Sequence, residues 1–308
     1  MDACCDRCSC CCKHYVWGEA LFLRARDAEV AFATPIDGPI RPEPGNYPVQ
    51  VGPVGLVDPD FEPGFRVGFA TDLDCCARIG AEYTRYESGT SHAVETLPVN
   101  VLASHVVHPG TLNAIGSFYS GEASLDIGFD LVDLDYRCVF ASGDCYEINY
   151  LAGLRYGHLD QEFRSQFTNN GVEEVDTNIR FDGGGLRFGL EAERHSCCTG
   201  LMVYGKAIGS FAAGDFRADY RQMEATDSVV VDTSWKSGRV VGMADFELGA
   251  GWMSCNGCLR VTGGYMLSTW YNTVQTDEYI HAVRRNHFVG LGDNMTFDGF
   301  VARVEARF

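Results

Sequence analysis

From Phe300 to Phe308 apolar and polar side chains alternate without a break. Phe300, Ala302, Val304, Ala306 and Phe308 share one face of an extended chain; Val301, Arg303, Glu305 and Arg307 share the other, because successive strand side chains point to opposite sides. The same period of two recurs along nearly the whole sequence. Phe65, Val67 and Phe69 alternate with Arg66, Gly68 and Ala70, and Ile79, Ala81 and Tyr83 with Arg78, Gly80 and Glu82. Leu125, Ile127, Phe129 and Leu131 alternate with Asp126, Gly128 and Asp130; Tyr146 to Leu154 oppose Glu147, Asn149, Gly153 and Arg155. Leu186, Phe188, Leu190 and Ala192 oppose Arg187, Gly189, Glu191 and Glu193, and Ala244 to Trp252 oppose Asp245, Glu247, Gly249 and Gly251. Ten candidate strands follow: 15–26, 64–73, 76–87, 123–137, 145–157, 185–194, 200–211, 240–253, 258–271 and 295–308. The facing of the first is not fixed by its sequence, and no segment carries a long helical stripe.

The connections alternate in length. Short ones lie near 74–75, 138–144, 195–199 and 254–257; long ones span 27–63, 88–122, 158–184, 212–239 and 272–294. Short turns at one end and long loops at the other are the pattern of outer-membrane barrels, whereas several structureless loops of over ~20 residues are uncommon in a compact soluble domain. Eight prolines between Pro35 and Pro63 sit in the first long connection and Pro98 and Pro109 in the second, so none interrupts a hydrogen-bonded ladder. The expected fold is therefore all-β: a transmembrane antiparallel up-and-down barrel of about ten strands (eight to twelve), with short periplasmic turns and long extracellular loops. Residues 1–14 form a Cys-rich periplasmic segment and 15–308 the barrel. A closing strand that ends on an aromatic looks like the recognition signal of the barrel assembly machinery, which gives Phe308 that role. Met1-Asp2-Ala3-Cys4 has neither the basic nor the apolar region of an export signal, so such a signal is expected to have been removed.

Composition narrows the partners. The chain is 46% hydrophobic and 21% charged over 308 residues, and no run of ~18 apolar residues would cross a bilayer as a helix. With 42 acidic against 24 basic residues the net charge is -18, so nucleic acid is excluded as a partner. Outer-membrane lipid and small solutes or ions are the expected ones.

Fourteen cysteines fall at the N-terminus (Cys4 to Cys12) and at Cys75/Cys76, Cys138/Cys145, Cys197/Cys198 and Cys255/Cys258, the last four groups at short turns. In a barrel all gather at one rim, where an oxidising periplasm favours disulfides. Cys138 and Cys145 flank one turn and could bridge it, and Cys255 and Cys258 could close another. The vicinal pairs could staple the N-terminal cluster, a periplasmic partner or a second copy. Cys5-x-x-Cys8 and Cys255-x-x-Cys258 have zinc-like spacing, but paired knuckles at structural-zinc separation are missing, so no metal or other cofactor is expected.

Strand, loop and terminus patterns together resemble the Legionella-type major outer membrane protein family. The resemblance covers about residues 15–308. It is carried by Trp17-Gly18-Glu19-Ala20-Leu21-Phe22-Leu23, by Leu125 to Asp130, by Tyr150 to Tyr156, by Leu186 to Glu191 and by the closing Phe300–Phe308 strand. It implies a pore-forming barrel for passive passage of small solutes or ions. The polar faces would then line the pore: Arg66, Arg78, Glu82, Asp126, Asp130, Glu147, Arg155, Arg187, Glu191, Glu193, Lys206, Asp245, Glu247, Arg303 and Glu305, the acidic excess favouring cations.

Three other readings use the same residues. A ten-stranded barrel is narrow, so these charges could pair and plug it as a structural envelope protein. An omptin-like outer-membrane hydrolase could draw on His158, His281 and His287 with Asp160, Asp277 and Asp293, although no spacing ties them together. A soluble β-barrel binder would leave unexplained the aromatics recurring near strand ends (Tyr15, Trp17, Tyr83, Tyr86, Tyr146, Tyr156, Trp252, Trp270 and Tyr271), which suit the interfacial girdles of a membrane barrel. No residue is assigned a catalytic role.

Overall fold

A strand with one apolar face still exposes its hydrogen-bonding edges, and a ring of paired strands is the arrangement that leaves no edge open. The computed structural model describes residues 13–38, 48–74, 76–97, 99–111, 118–143, 145–169, 171–196, 199–224, 228–254 and 256–308. Along the chain these form β1 (His14–Arg26), β2 (Val30–Ile36), β3 (Gly55–Val57), β4 (Glu62–Asp72), β5 (Ala77–Glu95), β6 (Val101–Ser104), β7 (Ser120–Gly143), β8 (Tyr146–Thr168), β9 (Val172–His195), β10 (Leu201–Met223), β11 (Val229–Met253), β12 (Leu259–Thr273), α1 (Thr276–Arg285) and β13 (Asp293–Arg307).

Ten strands close an antiparallel barrel in the order β1-β13-β12-β11-β10-β9-β8-β7-β5-β4, while β3, β2 and β6 form a separate small sheet. The ring shuts where β1 lies between β13 and β4, with Phe22 opposite Phe300 and Glu19 opposite Arg66. The His14 amide donates to the Phe308 carbonyl at 2.9 Å, and the Phe308 amide returns a bond to His14 at 3.0 Å. At the short-turn end Asp74 Oδ1 accepts from the amides of Cys76 and Ala77, both at 2.8 Å. Gly200 and Gly257 take φ of 72° and 70° in two further turns, a conformation that suits glycine.

Two of the expected long loops are strands. Residues 158–184 continue β8 to Thr168, turn, and return from Val172; residues 212–239 continue β10 to Met223 and return from Val229. The other three long connections carry β2 and β3, then β6, then α1. The physical reason is a change of surroundings along each strand. Beyond the bilayer the outside is water, so the strands keep their period but put apolar residues inward. On β8 the outward row Tyr150, Ala152, Leu154 and Tyr156 gives way to His158, Asp160, Glu162 and Arg164, while the inward row passes from Arg155 to Leu159, Phe163 and Phe167. On β10 the outward row changes from Phe211 and Ala213 to Asp215, Arg217 and Asp219.

The barrel is consequently filled differently in its two halves. In the loop half Phe163, Phe167, Phe181, Phe216, Tyr220, Trp270 and Phe297 are fully buried. Each contributes about 1.5–3 kcal/mol of transfer free energy. Phe129 and Phe297 meet at 4.7 Å between ring centroids, as do Phe181 and Phe216. β2, β3 and β6 add Phe32, Val57 and Leu102 to this core.

α1 closes the same end, with Tyr279, Ile280, Ala282 and Val283 buried. Asp277 and Glu278 in its first turn and Arg284 and Arg285 in its last oppose the helix dipole, and Asn286 ends it at φ 51°. The Tyr279 hydroxyl donates to the Ala218 carbonyl at 3.0 Å, and Gln161 on β8 donates to the Val274 carbonyl at 2.8 Å. The helix is thereby fixed inside the barrel mouth.

β1 points Tyr15, Trp17, Glu19, Leu21 and Leu23 inward. Tyr15 and Trp17, with Tyr86 and Trp270, are therefore lumen or core residues and not part of an outer girdle. Tyr83, Tyr146, Tyr156, Trp252 and Tyr271 do face outward.

Candidate functional site in the barrel lumen

The membrane half of the lumen is polar, and β-alternation places its charges opposite one another. Arg66 on β4 donates to Glu19 at 2.9 Å and lies 3.5 Å from Glu82 and 3.6 Å from Glu247. Lys206 bonds Glu247 at 2.9 Å. Arg155 makes a two-pronged contact with Asp133 at 2.7 and 2.9 Å, and its third nitrogen reaches Asp245 at 2.7 Å and Ser210 at 3.1 Å. Arg187 lies 2.6 Å from Asp133 and 2.9 Å from Asp135, and Arg137 joins Asp135 and Glu191, each at 3.2 Å. Cations and carboxylates thus form a continuous mid-barrel layer held by two-pronged and shared contacts.

Below this layer the lumen opens toward the short-turn end as a vestibule of about 290 Å³. Arg78 pairs with Asp72 at 2.8 Å and stacks 3.5 Å above the Tyr15 ring. Arg303 covers Trp17 at 4.4 Å and shares Glu305 with Arg307, while Arg260 pairs with Glu193 at 2.9 Å. The Trp17 indole donates to Glu82 at 3.0 Å, linking vestibule and ion layer. Within the layer a cavity of about 30 Å³ remains, room for a water molecule or two. Above it Met243, Met266 and Val241 begin the apolar core.

Of the residues expected to line a pore, Arg66, Arg78, Glu82, Glu147, Arg155, Arg187, Glu191, Glu193, Lys206, Asp245, Glu247, Arg303 and Glu305 point into the lumen. Asp126 and Asp130 do not. They stand outside the loop half of β7, where Leu125, Ile127, Phe129 and Leu131 are the buried, inward row. Polar residues lining a pore would put that apolar row against lipid, but this stretch lies beyond the bilayer, so its facing is reversed. Further along the same inward row stand Asp133, Asp135 and Arg137, which the alternation with Val132, Leu134 and Tyr136 could have revealed. Glu19 escapes because the facing of β1 is not fixed by its sequence; Asp72, Arg260 and Arg307 extend the polar rows of β4, β12 and β13, and that alternation could have found them.

The rim cysteines are only partly described. Cys138 carries a free thiol whose Sγ lies 3.8 Å from the Val139 carbonyl oxygen, so the Cys138–Cys145 bridge is not made. Its side chain points outward beside Tyr136 and Tyr150, away from the lumen. Cys145 is disulfide-bonded. Cys255, the partner expected for Cys258, lies outside the described residues, as do residues 1–12, Cys75, Cys197 and Cys198.

The candidate hydrolytic residues fall in separate places. His158 Nδ1 lies 2.8 Å from Asp182 on the outer wall, with the Tyr156 hydroxyl on the same carboxylate at 3.0 Å. His281, Asp277 and Asp293 line a cavity of about 400 Å³ at the loop end, together with Asp27, Glu29 and His105. Burial and the neighbouring Asp293 and Glu29 raise the Asp277 carboxyl above its ordinary range. Among the described residues no His, Cys, Asp and Glu group is arranged to hold a metal ion.

A ten-stranded closed barrel with an apolar outer belt and charged lumen is an outer-membrane protein in its architecture. The chain belongs to the family of the Legionella pneumophila major outer membrane protein precursor, whose family model matches residues 10–305. Among solved structures it is similar to the outer membrane protease OmpT from Escherichia coli, at 11% identity over 96% of this chain and 97% of that one, with a TM-score of 0.54. The Ralstonia pickettii toluene transporter TbuX aligns over 96% of this chain and 90% of its own at 10% identity, with a TM-score of 0.38. No curated protein matches the sequence. The protein resides in the outer membrane, and the likeness to OmpT is one of fold.

Proposed function

We propose that the protein is a non-enzymatic envelope barrel that holds its lumen shut. The observation that carries this reading is the filling of the loop half by Phe163, Phe167, Phe181, Phe216, Trp270 and Phe297, all fully buried, with α1 packed over them. Solutes entering from the short-turn end meet first the paired ion layer and then this core. Parting the layer would strand buried charges, and entering the core would strip ions of water. The outer belt, with Leu154, Phe188, Leu190, Phe211 and Leu248 exposed, suits outer-membrane lipid.

The pore reading has one observation in its favour. The vestibule is polar, of about 290 Å³, and lined by both signs of charge, as an ion path requires. Conduction would then need α1 and the ion layer displaced. Refolded protein in planar bilayers tests the choice: stable insertion without steady current is expected. Sustained cation-favouring steps from the unmodified protein would overturn the closed reading and establish the porin.

A further inference from the structure

The closure at the loop end depends on one short segment, residues 104–108, threaded between α1 and the barrel wall. From the barrel side the Tyr220 hydroxyl donates to the Val106 carbonyl at 2.8 Å, and Gln222 accepts from the His108 amide at 2.9 Å. From the helix side Arg284 donates to the carbonyls of His105 at 2.6 Å and Val107 at 3.2 Å. Arg284 is thus a charged pin through which α1 holds the segment. The small sheet grips the same residue: the His105 amide donates to Phe32 at 2.8 Å and its Nε2 lies 2.5 Å from the Thr34 hydroxyl. One imidazole therefore stands where the small sheet, α1 and the segment meet.

We infer that His105 is an acid-sensitive latch: the neutral imidazole lets α1 close the barrel mouth, and a proton placed on it beside Arg284 loosens α1 and residues 104–107 together. The inference concerns the cap and holds whether or not the barrel conducts. The charged and titratable groups around His105 come from every element packed there. α1 supplies His281, Arg284 and Asp277, the β1–β2 connection Asp27 and Glu29, and β13 Asp293. Burial, then Arg284, then His281, hold the His105 imidazole below its ordinary range. A histidine depressed in the folded state favours folding while neutral. That support begins to fall as pH drops through the unfolded value of about 6.5 and keeps falling to the folded one. Asp277 and Glu278, both raised by burial, act with the opposite sign, gaining as they protonate, so the test must isolate His105.

Amide hydrogen exchange of the refolded full chain in lipid vesicles, corrected for intrinsic exchange, reads the cap directly. Between about pH 7.5 and about pH 5.5, protection should fall in α1 and residues 104–107 and stay level in the membrane part of β8, β9 and β10. His105→Gln should abolish that fall, and His281→Gln should leave it. Arg284→Gln should free α1 at both pH values, which keeps the latch testable if the His105 variant folds poorly. Equal α1 protection at both pH values in the unmodified protein, or the same acid loss in His105→Gln, would overturn the latch.

Discussion

The two halves of this barrel use one backbone ladder with opposite side-chain logic. On β7 the inward row runs Leu125, Ile127, Phe129, Leu131 and then, without a change of phase, Asp133, Asp135 and Arg137. The outward row makes the reverse change, from Asp126 and Asp130 to Val132, Leu134 and Tyr136. Between these rows nothing changes but the medium outside. Where water surrounds the wall the interior is a hydrophobic core of the soluble kind; where lipid surrounds it the interior must take the polar residues. A ring of outward tyrosines marks part of the boundary, with Tyr83 and Tyr156 donating to Asp130 and Asp182 on the neighbouring strands. Lipid does not reward burial of apolar groups within the barrel, so in the membrane half order rests on ion pairs and hydrogen bonds. In the loop half it rests on area removed from water.

If that division is right, the largest effect of a single change should come from breaking the ion layer. Arg155 is 4% exposed and holds both Asp133 and Asp245. Arg155→Met should cost about 3–5 kcal/mol, because Asp245 loses its cation and Asp133 is left with Arg187 alone. Urea unfolding of the refolded barrel measures it, and a cost below about 1 kcal/mol would remove the layer from the account. The same residue type can then be compared across the boundary. Phe181→Ala, in the core, should cost about 3–5 kcal/mol. Phe188→Ala, seven residues further along β9 and facing lipid, should cost about 1 kcal/mol, since lipid fills the space. Equal costs would erase the distinction between the halves.

The smallest effect belongs to the cap. Asp277 is raised by burial, so its folded form prefers the proton, and its contribution becomes unfavourable as pH rises through the unfolded carboxylate value. Asp277→Asn should therefore slow exchange of α1 amides at neutral pH, by no more than about 1 kcal/mol in opening free energy. Faster exchange would show that the carboxylate secures the helix start.

Much of the ring was legible in the sequence because alternation survives every change of surroundings. Ten strands and the short turns follow from period two, and the closing pair is already visible in Phe300–Phe308. What alternation does not contain is which face is out. Wherever apolar was equated with outward, the result held in the bilayer and failed above it, at Asp126 and Asp130. Charged outward faces such as Asp160, Glu162 and Arg164 read as loop for the same reason, although β8 runs through them. α1 escaped because ten residues show fewer than three turns of amphipathic stripe, although Asp277-Glu278 and Arg284-Arg285 stand at its two ends as terminus signals. The bridge expected at Cys138 failed because flanking a turn says nothing of the side on which a thiol emerges.

The inversion itself is most directly tested by tryptophan fluorescence along one strand. With Trp17, Trp235, Trp252 and Trp270 changed to Phe, Phe211→Trp and Arg217→Trp each place one probe on the outward face of β10, on either side of the boundary. The Phe211→Trp probe should be quenched by brominated lipid and spared by aqueous iodide, the Arg217→Trp probe the reverse, and native Trp270 kept alone should resist both. Lipid quenching at 217, or of Trp270, would contradict a barrel that turns its apolar side inward above the membrane.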